Sequence, residues 1–151
     1  MHGHRRRFGI LVSGALLVLG FSVSLGAGPA SAKTSNPVNV SGKVNNKGTK
    51  DISAKKFTTL KLEADDYYFE PTFVKVQPGA KVRITLKNEG STTHTFTSDA
   101  LSIDQDLAAG KTARFSVTVP TAGTAFQFHC SFHESMGMQG AFYTKAGGAA
   151  Q

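Results

Sequence analysis

Gln127-Phe128-His129-Cys130-Ser131-Phe132-His133-Glu134-Ser135-Met136-Gly137-Met138-Gln139-Gly140 is the stretch on which the reading of this chain turns. Phe126, Phe128 and Cys130 share one parity, and Gln127 and His129 share the other. That alternation is the mark of a strand with one buried and one wet face. The thiol therefore emerges at the end of a strand, beside aromatic core. Cys130, His133 and a methionine then follow on a loop too short to separate them widely. The chain resumes as an extended run from Gln139 to Lys145.

A fourth candidate lies upstream. In Thr93-His94-Thr95-Phe96, His94 shares its parity with Phe96 and should point inward with it. Strand ends remote in sequence meet in a closed β fold, so His94 is expected to join the Cys130 loop. Two imidazoles and a thiolate make a trigonal plane, and a thioether binds weakly on its axis. The sulfur ligands suit Cu(I) and the imidazoles also accept Cu(II), so His94, Cys130, His133 and a methionine of the loop, Met136 or Met138, are expected to hold one copper ion. A structural zinc site would use more cysteines and has no need of Met. Covalent haem attachment would need Cys-x-x-Cys-His, which is absent.

Outward from the ligand loop the alternation recurs. Leu60, Leu62 and Ala64 are interleaved with Lys61 and Glu63. Val82, Ile84 and Leu86 are interleaved with Arg83 and Thr85, and Phe115, Val117 and Val119 with Ser116 and Thr118. Turn sequences separate the runs: Gln77-Pro78-Gly79, Asn88-Glu89-Gly90, Ala109-Gly110-Lys111 and Pro120-Thr121-Ala122-Gly123. No segment after residue 32 has convincing helical amphipathicity. Short strands at even spacing predict an all-β sandwich or barrel.

At this point the sequence resembles the cupredoxins, the small blue copper proteins, and within them the plastocyanin branch. Cys130-x-x-His133-x-x-x-x-Met138 has the spacing of that branch, and Gly140 matches its Met-x-Gly continuation into the last strand. Phe69-x-Pro71, Val76-x-Pro78-Gly79, Val82 and Asn88 resemble the approach to the first ligand. The resemblance covers residues 58 to 145 and implies a Greek-key β-sandwich and one-electron transfer. Two positions depart from the pattern. Met136 stands three residues after His133, the amicyanin-like spacing, so it competes with Met138 as axial ligand; only Met138 is followed by x-Gly and the strand. Thr95 stands where the family often has Asn.

The remaining residues set the context. Arg5-Arg6-Arg7, an apolar run from Phe8 to Leu25 and the small residues of Ala30-Ser31-Ala32 read as a secretory signal over residues 1–32, with an uncleaved anchor as the alternative. Arg5-Arg6-Arg7-Phe8 also fits a loose twin-arginine pattern. Residues 33–57 are turn-forming or charged and predict a flexible linker, with a short edge strand near Val38 to Val44 as the exception. Residues 146–151 predict a frayed tail. Cutting after Ala32 removes three of the 17 basic residues and none of the 10 acidic ones, which leaves a net charge of about +4. The lysines are scattered and no nucleic-acid motif is present, which sets that partner class aside. A single cysteine has no internal disulfide partner in an exported chain, and metal ligation gives it a use.

The function expected from these features is a monomeric one-electron carrier, exported to the periplasm, cell surface or outside, serving membrane or secreted redox proteins. It would have no small-molecule substrate. The alternative is a copper-handling protein that buffers the metal or donates it to an oxidase. An enzyme built on this site would need further copper centres. Only His94, His129 and His133 remain after residue 32, and two of them are already ligands.

Overall fold

The computed structural model describes residues 35–151; the signal sequence expected at residues 1–32 lies outside them. The described chain forms two sheets. One contains β1 (Thr49–Asp51), β4 (Phe73–Lys75), β10 (Gln139–Tyr143), β9 (Ala125–His129), β6 (His94–Ser98) and β7 (Ile103–Leu107), in that spatial order. The other contains β3 (Tyr68–Glu70), β2 (Phe57–Asp65), β5 (Lys81–Asn88) and β8 (Thr112–Thr118). Among the described residues the only helical element is a 3-10 turn, Glu134–Met136. Of the sandwich or barrel that the alternation predicts, this is the sandwich, the Greek-key form that the cupredoxin resemblance implies.

The period-two pattern explains how the layers close. In β2, Leu60, Leu62 and Ala64 are buried while Lys61 and Glu63 are exposed; in β5, Val82, Ile84 and Leu86 do the same. These side chains meet Val74, Phe96, Phe126, Phe128 and Phe142 from the larger sheet. Phe96 and Phe128 stack with centroids 4.8 Å apart, and Phe69 meets Phe128 edge-on at 5.3 Å.

The residues expected to form a linker do not hang free. All five residues of β10 are buried, which one sandwich core cannot achieve, because alternate side chains face away from it. The outer face of the large sheet carries Phe73, Ala125, Ala141 and Tyr143, and Val38, Val40 and Val44 pack over them. Full burial of a valine such as Val38 is worth about 1.5–3 kcal/mol. Residues 49–51 then add a parallel strand beside β4. The expected edge strand near Val38 to Val44 is reduced to one bridge, Asn39 to Ala149. The tail is pinned as well: Ala150 bridges to Ala125, and the Gln127 amide donates to the Gln151 carbonyl at 2.8 Å. The domain's packed structure therefore extends on both sides of residues 58–145. Strands β3, β4 and β7 are also additions to the sequence reading; in β7 the alternation of Ile103, Gln105 and Leu107 was the available signal.

Candidate metal centre

Two antiparallel strands of the large sheet bring the site together. His94 opens β6, and Cys130 directly follows β9. Asn88, the last residue of β5, fixes the approach to His94. Its buried amide donates to the carbonyls of Thr92 and Leu107, both at 2.8 Å, and its oxygen accepts from the Gly90 amide at 2.9 Å. On the other side the ligand loop is a tight turn. The His133 amide donates to the Cys130 carbonyl, the Met138 amide to the His133 carbonyl, and the Cys130 amide to the Met138 carbonyl, at 3.0–3.2 Å.

The donor atoms converge. The Nδ1 atoms of His94 and His133 lie 3.2 Å apart, and Cys130 Sγ is 3.8 Å from the first and 3.4 Å from the second. A planar set with metal–nitrogen bonds near ~2.0 Å and a metal–sulfur bond near ~2.3 Å spaces its donors by roughly 3.5 and 3.7 Å. The three side chains thus fit one small ion between them. His94 and Cys130 are fully buried and His133 is half-buried. Burial, and then the neighbouring His133 charge, push the His94 imidazole below its ordinary pKa, against the opposing pull of Asp66 and Asp65. A neutral imidazole is the form that ligates metal.

The surrounding residues hold these ligands. The Thr95 amide donates to Cys130 Sγ at 3.4 Å, which ties the start of β6 to the sulfur. Thr95 Oγ1 accepts from the Ser131 amide at 2.8 Å, so threonine joins the two ligand segments despite replacing the more usual Asn. His94 Nε2 is buried without a hydrogen-bond partner, and its nearest carboxylate oxygen, on Asp66, is 3.8 Å away. Gly90 leaves room for that pair; a Cβ there would come within 2.7 Å of both His94 Nε2 and Asp66 Oδ1.

The two methionines differ sharply. Met138 is 0% exposed and packs within the main core, whereas Met136 is 46% exposed on the 3-10 turn. Gly140 has a plain reason as well: a Cβ there would collide with the Thr72 carbonyl and come within 2.8 Å of the Phe128 ring.

Two contributors escaped the sequence reading. Asn45 donates its amide to the carbonyls of Tyr67 (2.7 Å) and Met136 (2.9 Å), and its backbone amide donates to Gly137 (2.9 Å). Tyr67 has φ 71°, a left-handed conformation uncommon outside glycine, and its ring meets His133 edge-on at 5.1 Å. Tyr67, Phe132 and Met136 are exposed, and the first two rings flank His133. His129 is partly exposed on the opposite parity, as expected.

Comparison with known proteins agrees with this fold. A family model described as a cupredoxin-like domain matches residues 23–142. The fold is similar to a dithionite-reduced auracyanin from the photosynthetic bacterium Roseiflexus castenholzii, with a TM-score of 0.50 and 14% identity over 61% of this chain and 98% of that one. Auracyanin B is similar at TM-score 0.50 and 18% identity, covering 58% of this chain and 88% of that one. A copper nitrite reductase from Nitrosomonas europaea aligns at TM-score 0.50 and 20% identity, but over 59% of this chain and only 41% of the enzyme. These likenesses are of fold. No curated protein matches the sequence.

Proposed function

The chain belongs to the cupredoxin-like domain family, and from that premise we propose that it is a one-electron carrier whose copper is held by His94, Cys130, His133 and Met138. The observation that carries the proposal is the convergence of two imidazole nitrogens and one thiol sulfur within 3.8 Å of one another. Bound there, copper supplies the electron store by alternating between its singly and doubly charged states. The protein supplies a rigid seat that suits both states, so little has to move when an electron arrives or leaves. Strands β6 and β9 fix His94 and Cys130, and the three backbone bonds within the ligand loop fix His133 and Met138. The aromatic cluster of Phe69, Phe96 and Phe128 keeps the surroundings apolar, which tunes the potential.

Met138 rather than Met136 would be the thioether ligand, because it is buried beside the site while Met136 faces solvent. His133, the candidate ligand nearest solvent, with the apolar rim of Tyr67, Phe132 and Met136 around it, would offer the electron path to membrane or secreted redox proteins. Residues 1–32 direct export, and the mature chain begins at Lys33. Full burial of His94 and Cys130 supports a carrier over a copper donor, since a donor must expose its ligands to a recipient.

The test is spectroscopic. Purified residues 33–151 loaded with Cu(II) should be intensely blue and take up one electron reversibly, and Cys130→Ser should be colourless. A loaded wild-type protein without the thiolate-to-copper band would refute the assignment. Sequencing the N-terminus of the exported protein checks the cut after Ala32.

A further inference from the structure

The solvent face of the smaller sheet carries a second charged feature. A cleft of about 390 Å³ is lined by Lys55, Phe57, Thr59, Lys81, Arg83 and Ser116. The strand register explains the cluster. Phe57 pairs with Lys81, and Thr59 pairs with Arg83, which in turn faces Ser116. One rung further on, Lys61 pairs with Thr85, which faces Arg114. Residues two apart on a strand share a face and lie about 7 Å apart, so the cations form a grid interleaved with hydroxyls. Among the described residues, none of Lys55, Lys61, Lys81, Arg83 and Arg114 forms an ion pair; the basic partners that do are Lys75, Lys87 and His94. No carboxylate lines the cleft. At its rim Phe57 is 77% exposed, the most exposed large apolar side chain among the described residues.

This face is remote from the candidate metal ligands. Strand β5 runs from Lys81 at the cleft to Asn88, whose amide holds the loop before His94. Seven residues of strand span about 23 Å. Whatever occupies the cleft therefore leaves the His133 edge uncovered.

We propose that this face docks the protein on the surface of a bilayer rich in anionic phospholipid. Unpaired cations and hydroxyls answer phosphate oxygens, and the paired strands β2, β5 and β8 present them on one face. The exposed phenyl ring adds an apolar contact that a headgroup layer accommodates and a purely ionic partner does not need. Docked this way, the carrier diffuses along the membrane with its electron-transfer edge still open to partners. The inference adds a location to the proposed function, but it does not depend on the metal.

The copper-loaded protein is sedimented with vesicles of phosphatidylglycerol mixed with phosphatidylcholine, and with phosphatidylcholine alone. Binding is expected only to the mixed vesicles and should weaken as salt is raised. A basic residue near such a surface contributes about fivefold in affinity, so Lys81→Glu with Arg83→Glu should weaken binding about 30-fold or more. Phe57→Ser should weaken it by a smaller factor that persists at high salt. Lys43→Glu with Lys50→Glu changes the net charge equally on other surfaces and should have little effect. All variants should keep the absorption band of the wild type, which separates failure of this inference from failure of the copper assignment. Equal losses in the two double variants would reduce the effect to net charge and overturn the proposal. So would binding to phosphatidylcholine alone, or no binding to the mixed vesicles.

Discussion

Replacing Met138 by alanine should destabilise the metal-free domain by about 2–5 kcal/mol, the usual cost of emptying a long side chain's place in a packed core. Met138 has no exposed surface and packs among the main-core residues, so the loss includes both transfer and cavity contributions. Met136→Ala, on a side chain 46% exposed, should cost less than about 1 kcal/mol. The protein has no tryptophan, so urea unfolding is best followed by far-UV circular dichroism. With a slope of about 2 kcal/mol per molar, the Met138 variant should lower the midpoint by roughly 1–2.5 M at unchanged slope. Ligation is tested separately with leucine, which nearly conserves volume. Met138→Leu should change the visible spectrum and potential of the copper-loaded protein, and Met136→Leu should leave both alone. If Met136→Leu alters the spectrum while Met138→Leu does not, inferring the axial ligand from burial is wrong.

Asn88→Ala removes three hydrogen bonds at a buried position and should cost about 2–4 kcal/mol, with a loss of copper affinity measurable by competition with a chelator. Gly140→Ala sets a methyl group against the Thr72 carbonyl and the Phe128 ring; it should cost more than about 3 kcal/mol or prevent folding, read from expression and circular dichroism. The folded-state pKa of His94 lies below its ordinary value of 6.5, so the unfolded chain binds the extra proton first on acidification. Its contribution to the stability of the metal-free protein is therefore complete above that value and is lost as pH falls through it toward the folded pKa. Denaturation midpoints at about pH 7.5 and about pH 5.5 should show this loss, reduced in His94→Gln; greater stability in acid would contradict the sign.

Parity assigned an inward face to His94 and Cys130, whereas His133 and Met138, outside the strands, were read from their spacing after the cysteine. His94, Phe96, Phe126, Phe128 and Cys130 are all buried, as alternation requires. The N-terminal segment was misread because composition measures how much apolar surface a stretch owns, not what it covers. Val38, Val40 and Val44 are few, but they close the outer face of a sheet whose Phe73 and Tyr143 need a lid. The bracing by Asn45 and Tyr67 left no pattern at all. Each acts through a backbone carbonyl or a ring edge that only the assembled fold brings near His133.

The Asn45 brace also bears on the order in which the site can be completed. Asn45 and Met136 are 91 positions apart, so one end exists long before the other during synthesis. A chain cut short before β9 would carry His94 without the thiol. One cut between Cys130 and Met136 would expose a reactive sulfur without the brace or the buried thioether. Only a chain that reaches Met138 carries all of these groups, so the donor cluster and its brace are completed together, long after His94 has been made.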